Sequence, residues 1–121
     1  MTIGLRGMHS QLRPAAEYAM TIARHNGLNP IVTSVYRGWA EQQRLRSRWE
    51  RGESKWPANR PGDSAHNYGF AFDSWVPDAQ MPMWDAIRKY VGWEVPQNDI
   101  IHAGLPNWRQ YRPSSHQTTP G

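Results

Sequence analysis

The stretch from Ser64 to Asp73 reads Ser-Ala-His-Asn-Tyr-Gly-Phe-Ala-Phe-Asp, an imidazole and a carboxylate seven residues apart with small residues between them. In a straight strand seven residues span ~23 Å and neighbouring side chains alternate faces, so His66 and Asp73 would point away from each other. They meet only if the chain bends, and Gly69 permits the bend. Beyond it, Gly69, Ala71 and Asp73 share one face of a strand, the first two too small to obstruct a ligand, while Phe70 and Phe72 point the other way into a core. A floor of this kind with a carboxylate at its end suits a metal ion. Zinc accepts a neutral imidazole and a carboxylate at ~2.0–2.2 Å, but a hydrolytic site also needs a third protein ligand and an open position. The same spacing fits an imidazole that caps a loop and a carboxylate in a surface salt bridge, so the rest of the chain has to decide.

A chain of 121 residues suits one domain with one core, here expected over residues 3–112, with a polar, Pro-containing, disordered tail at 113–121. Without cysteine there are no disulfides and no thiolate ligands, so a transition metal has to be held by His and carboxylate. The N-terminus shows no basic-then-apolar signal pattern, and no apolar run approaches the ~18 residues of a spanning helix. A protein made in the cytoplasm, with no membrane insertion, is the expectation. The net charge of +4 favours an anionic partner: nucleic acid, a membrane surface or an acidic wall polymer. Seven Trp serve core packing or the stacking of sugars and bases, and core packing is expected for most of them.

Apolar positions at Leu12, Ala15, Ala16, Ala19, Ile22 and Ala23 give a 3.6-residue stripe and predict a helix over Ser10 to Asn26, with Ser10 as N-cap, Pro14 in the first turn and Asn26-Gly27 as the stop. Ile31 to Tyr36 is β-branched and short, hence a strand with Arg37 at its exit, where a cation can clamp a carboxylate or offset an oxyanion. Gly38 to Arg51 carries strong helix formers, and its arginines at 44, 46, 48 and 51 spread around the helix as a solvated face. Gly52 to Gly62 has no periodicity and reads as a loop that can rim a cleft. After the strand ends at Val76, Trp84, Ile87 and Val91 mark a third helix, with Pro82 in its first turn and Gly92 at its end. Trp93 to Pro96 is a short extended piece, and Asn98 to His102 opens a last apolar strand. Strands and helices without regular βαβ alternation predict an α+β fold, a small, mostly antiparallel sheet with helices packed against it. His9, His25 and His116 lie on a terminal segment, a helix end and the tail.

His102 supplies the third imidazole or carboxylate that the first two residues require, and Asp99 stands three residues before it. Ser64-x-His66-x-x-Gly69-x-Ala71-x-Asp73 followed by Asp99-x-x-His102 resembles the zinc peptidases of the D-Ala-D-Ala carboxypeptidase, lysostaphin and hedgehog superfamily, in particular VanY-like carboxypeptidases and phage L-alanyl-D-glutamate endopeptidases. Ser34-Val35-Tyr36-Arg37 with Gln42 five residues after the Arg looks like the S-G-Y-R-(x)4-Q element of that family, so the resemblance covers roughly residues 28–104. It implies one Zn2+ per chain on His66, Asp73 and His102, Asp99 as general base, Arg37 as substrate clamp and oxyanion partner, and Ser64 and Gln42 at the substrate. Val35 departs from the usual Gly, and Ala103-Gly104 stand where relatives often carry an aromatic residue. Residues three apart on a strand face opposite sides, so Asp99 has to sit at a bend to share a site with His102.

The function expected from the resemblance is hydrolysis of peptidoglycan stem peptides by a monomer, as a D-Ala-D-Ala carboxypeptidase or a phage-endolysin-like L-Ala-D-Glu endopeptidase. The lack of a signal pattern fits a phage lysin or virion component that acts on the cell wall. The alternative is a non-catalytic zinc-containing module of the same fold that binds wall or protein. A nucleic-acid binder ranks last, because the arginines are scattered and no base-stacking motif is present.

Overall fold

A computed structural model describes residues 4–113. His116 and residues 114–121 of the tail expected at 113–121 lie outside the described residues, as do residues 1–3. In chain order the elements are α1 (Arg13–His25), β1 (Ile31–Ser34), α2 (Trp39–Glu50), a one-turn 3₁₀ helix (Ala65–Tyr68), β2 (Ala71–Trp75), α3 (Met81–Val91) and β3 (His102–Gly104), with short 3₁₀ turns before α3 and after β3. The strands form one antiparallel sheet in the order β1-β2-β3. The fold is α+β, as the sequence predicts.

The two faces of β2 divide the molecule. Phe72 and Ser74 point toward α3: Phe72 lies in the core with Trp93, and the Ser74 hydroxyl accepts from Trp84 Nε1 at 2.8 Å. On this side Ala16, Ala19, Met20 and Ala23 of α1 and Met81, Trp84 and Ile87 of α3 bury their stripes against Val32, Val35 and Ala103. Asp73, between Phe72 and Ser74, points to the opposite face, because side chains alternate along a strand. α2 adds nothing to this core. It buries Gln42 alone, and that helix stands as a wall over the polar side.

Several boundaries differ from expectation, each for a local reason. α1 begins at Arg13 and not at Ser10, because the amides of Leu12 and Arg13 both bond back to the His9 carbonyl and close a turn first. β1 ends at Ser34: its register slips between Val32 and Ser34, and the Val35 carbonyl turns to a side chain. Phe70 does not join Phe72. It packs with Ala65 and Ala71 in a second, smaller cluster, with Tyr68 and His9 against its ring. The apolar run Ile100-Ile101 is not strand, and both side chains are exposed. Of the seven Trp, Trp84 and Trp93 alone are buried, so most of them do not serve the core.

Candidate metal centre and its cleft

His66 sits on the 3₁₀ turn and not on the strand. Ser64 caps that turn, its hydroxyl accepting from the His66 amide at 3.3 Å, while Asn67 Oδ1 accepts from the Ser64 amide at 3.3 Å. Gly69 ends the turn with φ of 72°, a left-handed conformation in which a Cβ is costly. The chain reverses there and enters β2, which carries Asp73 back beside His66. The Asp73 Oδ1 lies 3.1 Å from His66 Nε2 and 3.2 Å from His102 Nδ1. One donor atom from each of the three residues falls within 4.8 Å of the others.

The bend that Asp99 requires is present. The His102 amide donates to the Asp99 carbonyl at 3.0 Å, closing a four-residue turn that sets the two side chains at one cleft. The turn is held from behind by two bonds, the Ser74 amide on the Ile101 carbonyl at 3.0 Å and Arg88 Nη2 on the Ile100 carbonyl at 2.7 Å. Arg88 is fully buried, its Nε donates to the Trp84 carbonyl, and its Nη1 has no partner among the described residues. Burial pushes this guanidinium down to about 10, against the pull of Asp85 and Asp73. Nothing in the sequence pattern marks it, since it falls at an ordinary helical position.

The electrostatics fit a cation ligand set. Burial alone would raise the Asp73 carboxyl, but hydrogen bonds from His102 and His66 and their charge outweigh it and hold the carboxyl well below its ordinary range. The Asp73 carboxylate is thus ionised. His66 Nδ1 lies 2.6 Å from the Val35 carbonyl, which accepts its proton, so a cation at this site can take the place of the Nε2 proton that bonds Asp73. Two imidazoles and one carboxylate, in a chain without cysteine, match the donor chemistry of zinc. Asp99 is open to the cleft, yet desolvation by its surroundings raises its carboxyl, with His102 opposing, Asp73 reinforcing and His66 opposing.

Arg37 is placed by a polar network. Its amide donates to the His66 carbonyl at 2.9 Å, and its Nη1 donates to Gln42 Oε1 at 3.1 Å. Gln42 is 1 % exposed; its Nε2 donates to the Asn59 carbonyl at 2.7 Å, and Asn67 Nδ2 donates both to the Arg37 carbonyl and to the Gln42 oxygen. The Gln42 amide, expected at the substrate, lines the cleft and also holds Arg37 and the Asn59 carbonyl. Ser64 is likewise engaged as a cap, at the edge of the same cleft. Asn67 is the joint that sequence reasoning missed; its signal was its place three residues after the capping Ser64.

Around these residues lies a cleft of about 680 Å³. Arg37, His66, Asp73, Asp99 and His102 line one part of it, and Arg48, Trp56 and Trp108 line the rim. The two departures from the family pattern are accommodated: Val35 and Ala103 have buried side chains in the core, and Gly104 lies against the His102 ring, where a Cβ would come within 3.0 Å of Nε2. His9 and His25 are not part of the cluster.

The sequence profile of the D-alanyl-D-alanine carboxypeptidase family, VanY, matches residues 6–93, and the chain belongs to that family. The match ends before Asp99 and His102, whose place beside His66 and Asp73 rests on the geometry above. Among solved structures, the chain is similar to VanYB in complex with D-alanine-D-alanine, at 17 % identity over 94 % of this chain and 84 % of that one, with a TM-score of 0.67. A mutant of the vancomycin-resistance D,D-pentapeptidase VanY in complex with Zn(II) aligns at 18 % identity over 81 % and 72 %, with a TM-score of 0.64. The L-Ala D-Glu endopeptidase ChiX of Serratia marcescens aligns at 19 % identity over 89 % and 86 %, with a TM-score of 0.61. At these identities the likeness is one of fold. No curated protein matches the chain in sequence. Among the described residues no helix is long and apolar enough to cross a membrane.

Proposed function

We propose that this chain is a zinc-dependent peptidase that hydrolyses peptidoglycan stem peptides, with His66, Asp73 and His102 as the metal ligands. The observation that carries the reading is the convergence of His66 Nε2, Asp73 Oδ1 and His102 Nδ1 in one cleft with the Asp99 carboxylate and the Arg37 guanidinium. Zinc held by these three donors supplies Lewis acidity, polarising a peptide carbonyl and lowering the pKa of water.

The chain's own residues do the rest. Asp99 accepts the proton of the attacking water and returns it to the leaving amine, and the desolvation that raises its carboxyl makes it a stronger base than an ordinary aspartate. Arg37, fixed by Gln42 and the His66 carbonyl, offsets the charge that grows on the carbonyl oxygen. His66 is locked in one tautomer by Val35, so its position costs no reorganisation during reaction.

The family and its solved neighbours include both D-Ala-D-Ala carboxypeptidases and an L-Ala D-Glu endopeptidase, and both bonds lie in wall stem peptides. The test is a digest of purified peptidoglycan followed by mass spectrometry. Release of stem-peptide fragments, abolished by chelator and restored by zinc, is the expected result. Loss of a terminal D-Ala identifies a carboxypeptidase; cleavage beside the sugar-linked L-Ala identifies an endopeptidase able to lyse cells in the manner of a phage lysin. A zinc-loaded protein that releases nothing would overturn the reading in favour of a binding module of the same fold.

A further inference from the structure

The arginines on and beside α2 are paired within their own segment, with one exception. Arg44 holds Glu41 through two bonds at 2.8 and 2.6 Å, Arg46 holds Glu50 at 3.1 Å, and Arg51 holds Glu53 at 2.8 and 3.1 Å. Arg48 has no hydrogen bond or ion pair from its side chain among the described residues. Glu53 lies within its field, but that carboxylate is engaged by Arg51. The other guanidiniums at the cleft are also occupied, Arg37 by Gln42 and Arg109 by Asp63. Among the described residues Arg48 is the one cleft guanidinium with neither a hydrogen bond nor an ion pair from its side chain, and it is half-buried.

Its position sets a length. Gln42, Leu45 and Arg48 follow one another at three-residue steps and all line the cleft, so this face of α2 runs from the Arg37 end outward. Six residues of helix advance roughly 9 Å, and an extended peptide advances about 3.3–3.6 Å per residue. A substrate group at Arg48 is thus two to three residues removed from the group at Arg37. The carboxylates of the cleft, Asp73, Glu94 and Asp99, come from β2 and the 94–99 segment on the other wall. An anionic group on the substrate is repelled from that wall and drawn to Arg48.

We infer that Arg48 is a specificity-determining residue that binds a carboxylate of the peptide substrate two to three residues from the scissile bond. This rests on the stem-peptide reading above. A stem peptide offers two such carboxylates, the α-carboxylate left free by a γ-linked glutamate and the C-terminal one, and a guanidinium binds either in a bidentate manner.

The experiment is a tryptophan-fluorescence titration of zinc-loaded Asp99→Asn protein, which slows turnover, with three synthetic stem peptides: the free acid, the glutamate carboxamide and the C-terminal amide. Each is repeated with Arg48→Gln and Arg48→Lys added, folding being checked by circular dichroism. Amidation of one carboxylate is expected to weaken binding about tenfold, the worth of one charge-assisted contact. That discrimination disappears in Arg48→Gln and returns in part with Arg48→Lys, and the amide that matters identifies the carboxylate. Equal Kd for all three peptides, an Arg48→Gln loss that is the same for acid and amides, or no saturable binding of the free acid would overturn the inference. Native protein that digests peptidoglycan while Kd ignores amidation sinks Arg48 alone; an inert native protein with the expected Kd pattern sinks the peptidase reading alone.

Discussion

Asp99 is the residue on which chemistry and mere metal binding part. It belongs to the turn that precedes His102, touches none of the three ligand atoms, and has its carboxylate open to the cleft. Asp99→Asn keeps shape and volume and removes only the proton acceptor. Zinc content is expected to stay near one per chain while kcat falls ~10²–10⁴-fold, the range for a positioned general base, with little change in KM. Glu94 is the comparator, since it also lines the cleft but is tied to β3 by paired backbone bonds with Gly104. Wild-type turnover in Asp99→Asn together with a dead Glu94→Gln would transfer the role to Glu94. The separation matters because the ligand triad by itself, however well formed, does not distinguish an enzyme from a zinc-bearing scaffold.

At the scale of elements, two short connections convert a three-stranded sheet into a site. The first is the reversal at Gly69, where a Cβ would meet the Gly7 carbonyl oxygen at 2.6 Å and the His9 nitrogen at 2.9 Å, on a backbone already left-handed. Gly69→Ala is expected to destabilise the fold by about 1–3 kcal/mol, read as a lowered urea midpoint, because strain and backbone contact add. The second is the turn from Asp99 to His102, gripped by the buried Arg88. Arg88→Met removes a desolvated charge, which offsets the loss of its bond to Ile100, so thermal stability should change little. Zinc affinity, measured against a chelating dye, should nevertheless fall about 10–100-fold as the turn that aims His102 loosens. Unchanged affinity would show that the Ser74 bond suffices. These two connections also mark what sequence could reveal. The clustering of His66, Asp73 and His102 and the Gly69 bend were legible because each needs a particular residue type at a particular spacing. Arg88, Asn67 and the exposed turn at Ile100-Ile101 were not, because helical position and apolar character are satisfied equally by a core residue and a strand. Phe70 lies before β2, which starts at Ala71, so the strand alternation that sends Phe72 into the core does not extend to it.

The molecule as a whole is one-sided: α1, α3 and one face of the sheet hold the core, while α2, the 52–64 segment and the Asp99 turn surround the cleft with few apolar contacts. The cleft side is held instead by a chain of polar bonds, from Arg46 to the Ala58 carbonyl, Gln42 to the Asn59 carbonyl, and Asn67 to Arg37. A metal at His66, Asp73 and His102 ties three such pieces together, the 3₁₀ turn, β2 and the start of β3, none of which is adjacent in sequence to the next ligand. Because the unfolded chain does not assemble these donors, binding adds directly to stability, by about 2.7 kcal/mol when free zinc is 100 times Kd and about 4.1 kcal/mol at 1,000 times. For a domain of this size each kcal/mol raises the melting temperature by roughly 2–8 °C, so saturating zinc should raise Tm by at least about 5 °C over chelated protein. His102→Ala removes one ligand whose ring is only half-buried, and its metal-free Tm should lie close to that of metal-free wild type. Its zinc-dependent rise should be lost. Calorimetry of both proteins with chelator and with zinc measures the two quantities separately: a full zinc-dependent rise in His102→Ala would mean that another donor completes the set, and no rise in the wild type would mean that these three residues do not hold the metal at all.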